Sequence, residues 1–125
     1  MRIAIGLTAD NTFNTNHFGE SRYFAVYELE NGRLTPVEKR ENPVPGHDIP
    51  GKGRRIQETI ADCRAIIIRS IGKGALKRMP ERGIHIYLSR AKSLPEIEQA
   101  LQEQGLAAFL KLNPATGKFE SPQQG

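Results

Sequence analysis

The chain has one cysteine, Cys63, so no disulfide can form within it. Its opening stretch, MRIAIGLTAD, lacks the long apolar run of a signal peptide or membrane helix. A cytoplasmic location without membrane contact is the expectation. Clustered acid is also missing. Asp10, Asp48 and Asp62 stand far apart, without the carboxylate set that two-metal phosphoryl chemistry needs, which disfavours a nuclease. Aromatic residues are few and gather in the first hairpin rather than among the basic residues, so the stacking surface of a nucleic-acid binder is absent and such a partner is disfavoured. His17, His47 and His85 show no short paired spacing with one another or with Cys63, which disfavours a zinc site.

What the chain does carry is local basic charge. The formal net charge is only +4, yet residues 51–82 hold nine Lys or Arg against Glu58, Asp62 and Glu81. Such a region attracts anions in general, from nucleotides and organic acids to negatively charged metal clusters. At 125 residues the chain fits one domain able to bury its own core. The apolar patterning ends near residue 112, so the reading is a domain over 1–112 and a flexible tail over 113–125, rich in Pro, Gly, Ser and Gln.

RIAIGL reads as a central strand, and YFAVYELENGRLTPVEKR as two strands joined at Asn31-Gly32, a pair that tolerates the positive φ of a tight hairpin. Pro36 lacks a ladder donor, which sends the second arm to a sheet edge. In RRIQETIADC, Ile56, Ile60 and Cys63 fall on one helical face, placing Cys63 as a buried, inert thiol. AIIIRS and IHIYLS read as strands, GALKRMPERG and LPEIEQALQEQG as helices, and His85 as a sheet histidine. The fold class is α/β, with a mixed five-stranded sheet built from an N-terminal hairpin and a parallel βαβα half.

GHDIPGKG has much of a phosphate-loop pattern but fails on chemistry. Gly53 stands where Ser or Thr would hold magnesium, Pro45 and Pro50 remove backbone donors, and neither later strand ends in aspartate. Two glycine-rich basic helix starts remain, around Gly51–Gly53 and in SIGKGALK with Gly72, Lys73 and Gly74. Each reads either as a set of turn glycines or as a place where free N–H groups favour an anion. His17 and His47 lie in loops without a catalytic partner. Imidazole suits iron and other transition metals, and one or two protein ligands suit a carrier better than a permanent metal site.

Taken together, RIAIGL, NHFGESRYFAVYEL and DCRAIIIRSIGKGALKRMPERGIHIYL resemble the dinitrogenase iron-molybdenum cofactor biosynthesis family, which includes NifX, the core of NafY and the carboxyl-terminal domain of NifB. The similarity covers residues 2–105, marked by the His-Phe-Gly turn and by Ile-Gly-x-Gly-Ala after a strand. It implies a three-layer, ribonuclease H-like α/β/α domain without nuclease activity. It also implies non-enzymatic binding, storage or transfer of an iron-sulfur precursor or of the iron-molybdenum cofactor. The implied partners are nitrogenase cofactor assembly proteins or apo-dinitrogenase, with no oligomeric state implied. By the same resemblance His17 is the metal ligand, and Phe18 and Gly19 of the same turn are expected to bind the cofactor with it. The expected remainder of the site is His47 as a second, exchangeable ligand, Lys52, Arg54, Arg55 and Lys73 against the anionic cargo, and Gly72 and Gly74 beside them. The alternative is a protein-interaction module of a metallocluster assembly pathway whose cofactor site is degenerate.

Overall fold

The computed structural model describes residues 1–46 and 49–122. One mixed sheet runs through it, built from β1 (Arg2–Leu7), β2 (Tyr23–Glu30), β3 (Arg33–Glu41), β4 (Ala65–Ile68), β5 (His85–Leu88), β6 (Leu110–Asn113) and β7 (Lys118–Glu120). The spatial order is β3-β2-β1-β4-β5-β6-β7. β4 runs parallel to both β1 and β5, while the hairpins at either side are antiparallel.

The sheet has seven strands rather than the five expected. The two additional ones, β6 and β7, lie at the chain's far end, and β7 falls inside the stretch read as a tail. Asn113 explains much of that difference. Its carbonyl accepts from the Gly117 N–H at 2.8 Å and its side chain accepts from the Ala115 N–H at 3.0 Å, closing a turn that returns Lys118–Glu120 onto β6. Phe119 then packs against the apolar layer beneath, and three residues of alternating pattern were too few to show a strand period in the sequence.

At the opposite edge the expectations hold. Asn31 and Gly32 take φ of 51° and 77° at the hairpin turn. Pro36 lies on the outermost strand, where the register slips by one residue between Val26 and Tyr27, a bulge that accommodates its missing N–H.

Three helices cover the sheet: α1 (Lys52–Thr59), α2 (Lys73–Glu81) and α3 (Leu94–Gln104). Alternation along the strands decides which face each covers. Ala4, Phe24, Val26, Ile66 and Ile86 point to the side of α1 and α2, meeting Ile56, Ile60 and Met79. Ile3, Ile5, Ala65 and Ile67 point to the other, meeting Ile97 and Leu101 of α3. β4 is buried along its whole length, as its unbroken Ile run requires of a strand covered on two faces.

α1 is shorter than its apolar spacing predicted. It ends at Thr59, so Cys63 sits in the turn leading to β4 instead of on the helix. The turn is tied to the sheet end by Asp62, whose carboxylate takes Arg2 at 2.6 Å and Arg40 at 2.6 and 2.8 Å. These guanidinium hydrogen bonds hold Asp62 well below the usual carboxylate range. Cys63 is buried all the same, and burial first, then the Asp62 charge, pushes its thiol up to about 11, which leaves it inert.

Candidate cargo-binding site

Strand direction assembles the site. β4 feeds α2, so α2 begins at the carboxyl end of β4; α1 leads into β4, so it also begins at that end. The loop that leaves β1 emerges there too, and it carries His17. In an open α/β sheet this is the edge where ligands gather.

Within the His-Phe-Gly turn the three side chains have separate tasks. Phe18 is 2% exposed and inserts between sheet and α1, its ring centroid 5.0 Å from that of Phe24. Gly19 lies under the start of α1, where a Cβ would come within 3.3 Å of Lys52 Cε and 3.4 Å of Ile56 Cδ1. His17 is left at the surface. Its carbonyl accepts from the Glu20 N–H at 2.9 Å and from Asn14 Nδ2 at 3.0 Å, and the next N–H, that of Phe18, donates to the Ser70 carbonyl at 2.9 Å. The ring Nδ1 lies 2.9 Å from Ser70 Oγ. Ser70 belongs to the segment joining β4 to α2, so one residue fixes both the backbone and the ring of His17 to the start of α2.

Two buried asparagines hold this loop. Asn14 bridges the His17 carbonyl and Ser21 Oγ while its Oδ1 accepts from the Asn16 N–H. Asn42 donates to the Gly19 and Ser21 carbonyls and accepts from the Val44 N–H. Neither Asn14, Asn42 nor Ser70 was selected from the sequence. The local signal lay in the two asparagines, each of whose side chains accepts from the N–H two residues ahead in an Asx turn.

The glycines at the helix starts separate into kinds. A Cβ on Gly53 would lie 2.5 Å from Arg78 Nη1, and one on Gly74 would lie 3.6 Å from Arg78 Nη2. Arg78 thus rests across the first turns of both helices, a cation at this edge that the sequence reading passed over. Gly72 is different: its φ is −71° and a Cβ there would meet nothing within 4 Å, so neither backbone nor packing demands glycine. Lys73 is exposed beside it.

The basic stretch does not form one patch. Lys52 is turned back, its Nζ donating to the Gly46 carbonyl. Arg54 extends along α1 to Glu58, 3.7 Å away, and with Arg82 and Ile84 lines a depression towards the far end of the helix, away from His17. Arg55 is exposed on the same first turns. His47 lies outside the described residues. His85 opens β5 at the opposite end of the sheet, where burial and then the charges of Lys111 and Arg64 lower its pKa. Among the described residues no three His, Cys, Asp or Glu side chains could together hold a metal ion. No described helix is long and apolar enough to cross a membrane.

The site at this edge is therefore one oriented imidazole beside the start of α2, Lys73 and Arg78. It can take one coordination position on a metal and offset negative charge around it. A resident metal would need more ligands; a bound cluster that brings its own would not.

Residues 1–105 match the family model described as dinitrogenase iron-molybdenum cofactor. An uncharacterised protein of Methanocaldococcus jannaschii is 31% identical over 107 residues, which span 84% of this chain and 90% of that protein. Among solved structures, that of PH0822 is similar with a TM-score of 0.67 at 20% identity, covering 99% of this chain and 98% of that one. A Thermotoga protein described as a candidate NifB aligns over 83% of this chain and 89% of its own with a TM-score of 0.62 at 21% identity. The apo form of the orange protein from Desulfovibrio gigas aligns over 83% and 88%, with a TM-score of 0.63 at 16% identity. At these identities the structural likenesses establish the fold, and the match to PH0822 includes the C-terminal hairpin.

Proposed function

The chain belongs to the dinitrogenase iron-molybdenum cofactor family, a family of cofactor-handling type, and from that premise we propose that it binds and passes on an iron-sulfur precursor or an iron-molybdenum-type cofactor without catalysing a reaction. The observation that carries this reading is the His17 ring, held outward by Ser70 at the sheet edge where α2 begins. A cluster with one open metal position would take Nε2 of His17. The start of α2, Lys73 and Arg78 would face its negative charge, and His47 would close as an exchangeable second ligand. One or two protein ligands give an affinity that permits release, which a carrier needs.

On the same reading the domain is ribonuclease H-like, works in the cytoplasm, and meets cofactor assembly proteins or apo-dinitrogenase as donor and acceptor. Arg54 has a lesser part, because its side chain runs to Glu58 instead of to the site.

The test is anaerobic. Purified protein is mixed with isolated iron-molybdenum cofactor, passed through gel filtration, and assayed for iron and molybdenum in the protein peak. The wild type is expected to retain both metals. His17→Ala is expected to lose them while its midpoint of thermal unfolding stays within about 2 °C, since an exposed ligand contributes little to packing. Equal retention by both proteins would remove His17 from the site. Retention by neither would favour an interaction module whose cofactor site is degenerate.

A further inference from the structure

We propose that Ser70 is the positioning residue of the cargo site: it selects the ring nitrogen of His17 that meets the metal. The inference rests on the carrier reading and adds a residue to it. Three backbone contacts already fix the main chain of His17: the two hydrogen bonds to its carbonyl and that of the following N–H to Ser70. What stays free is rotation of the imidazole and the choice of nitrogen that bears the proton. Ser70 Oγ, 2.9 Å from Nδ1, constrains the rotation and keeps Nδ1 from a metal, while as donor or acceptor it admits either tautomer of the unloaded ring; this hydroxyl makes no other hydrogen bond among the described residues.

With Nδ1 occupied, only Nε2 can reach a metal. A neutral imidazole that donates a lone pair from Nε2 carries its proton on Nδ1, so the Ser70 hydroxyl acts as acceptor in the loaded state. This is the outer-shell arrangement that orients metal-bound histidines and raises their basicity, with a hydroxyl in place of the carboxylate that often fills that position. The substitution has a consequence for cargo. A carboxylate would set a negative charge beside the metal and repel an anionic cluster, whereas a serine orients the ring and adds no charge. Ser70 thus matches a cargo that is itself negative, in keeping with Lys73 and Arg78 at the same edge.

Two readouts separate this proposal from the reading beneath it. Long-range nitrogen–proton NMR of the His17 ring at about pH 8 reports the tautomer with no cargo present. Anaerobic titration with isolated iron-molybdenum cofactor reports affinity. Wild type and Ser70→Thr are expected to share one tautomer ratio and Nδ1 shift and to bind alike. Ser70→Ala should show a changed ratio and shift and bind about 10–100-fold more weakly. An alanine variant equal to wild type in both readouts would overturn the proposal. A Ser70-dependent tautomer without cofactor binding by any variant would support the orienting role and contradict the carrier reading.

Discussion

Replacing Asn42 with alanine should cost about 3 kcal/mol of stability and loosen the His17 loop with it. Asn42 is 3% exposed, yet its amide serves three backbone groups: the Gly19 carbonyl at 3.1 Å, the Ser21 carbonyl at 2.7 Å and the Val44 N–H at 2.9 Å. Alanine would leave those groups without their partner in an interior where each unmet hydrogen bond costs about 1–3 kcal/mol. The effect should be local as well as global, because Gly19 and Ser21 bracket the turn that ends the His17 loop. Urea unfolding would give the stability change, and hydrogen exchange should accelerate most at residues 17–21. A loss under about 1 kcal/mol with unchanged exchange would mean that water replaces the amide and that the loop is held elsewhere.

The second large effect is expected at Gly6. A Cβ at this position in the central strand would stand 2.1 Å from Ser21 Oγ and 3.1 Å from Ser21 Cβ. Ser21 is fully buried and its hydroxyl is bonded to Asn14, so it cannot turn aside without giving up that contact. Gly6→Ala should therefore destabilise by about 2–3 kcal/mol, the range of overpacking combined with a lost buried hydrogen bond. Removing the obstructing side chain is the control: Ser21→Gly in the Gly6→Ala background should show a favourable coupling of about 1–2 kcal/mol in a double-mutant cycle. Additive costs would show that the strand shifts to admit the methyl group and that Ser21 is not the obstacle.

These two residues show what a linear reading can and cannot see. The His-Phe-Gly turn was legible because its three members are adjacent and of contrasting type: an exposed imidazole, a buried ring and a residue without a side chain. The strands of the parallel half were legible from runs such as AIII, and the hairpin from Asn31-Gly32. The supports of the site were not, because their partners are remote in sequence. Ser70 meets His17 across 53 positions and Asn42 meets Ser21 across 21, and the one local sign is the Asx turn from Asn42 to the Val44 N–H, which says nothing of Ser21. Charge misled for the opposite reason. The basic residues of the stretch from 51 to 82 look like one patch in sequence, but α1 and α2 carry them to both ends of the sheet. Arg54 and Arg82 go one way while Lys73 and Arg78 stay near the edge that carries His17. The C-terminal hairpin was missed because β7 has three residues, and its existence depends on the Asn113 turn more than on any apolar pattern.

The most direct test of the account is spectroscopic. Isolated iron-molybdenum cofactor, paramagnetic in its resting form, would be loaded anaerobically onto protein carrying nitrogen-15 only in histidine, and pulsed electron paramagnetic resonance would look for coupling between the cluster and a ring nitrogen. The account predicts coupling to the His17 ring nitrogen that is lost in His17→Ala, with any coupling from His47 left in place. A loaded wild-type protein with no histidine coupling, or couplings identical in wild type and His17→Ala, would contradict ligation by His17.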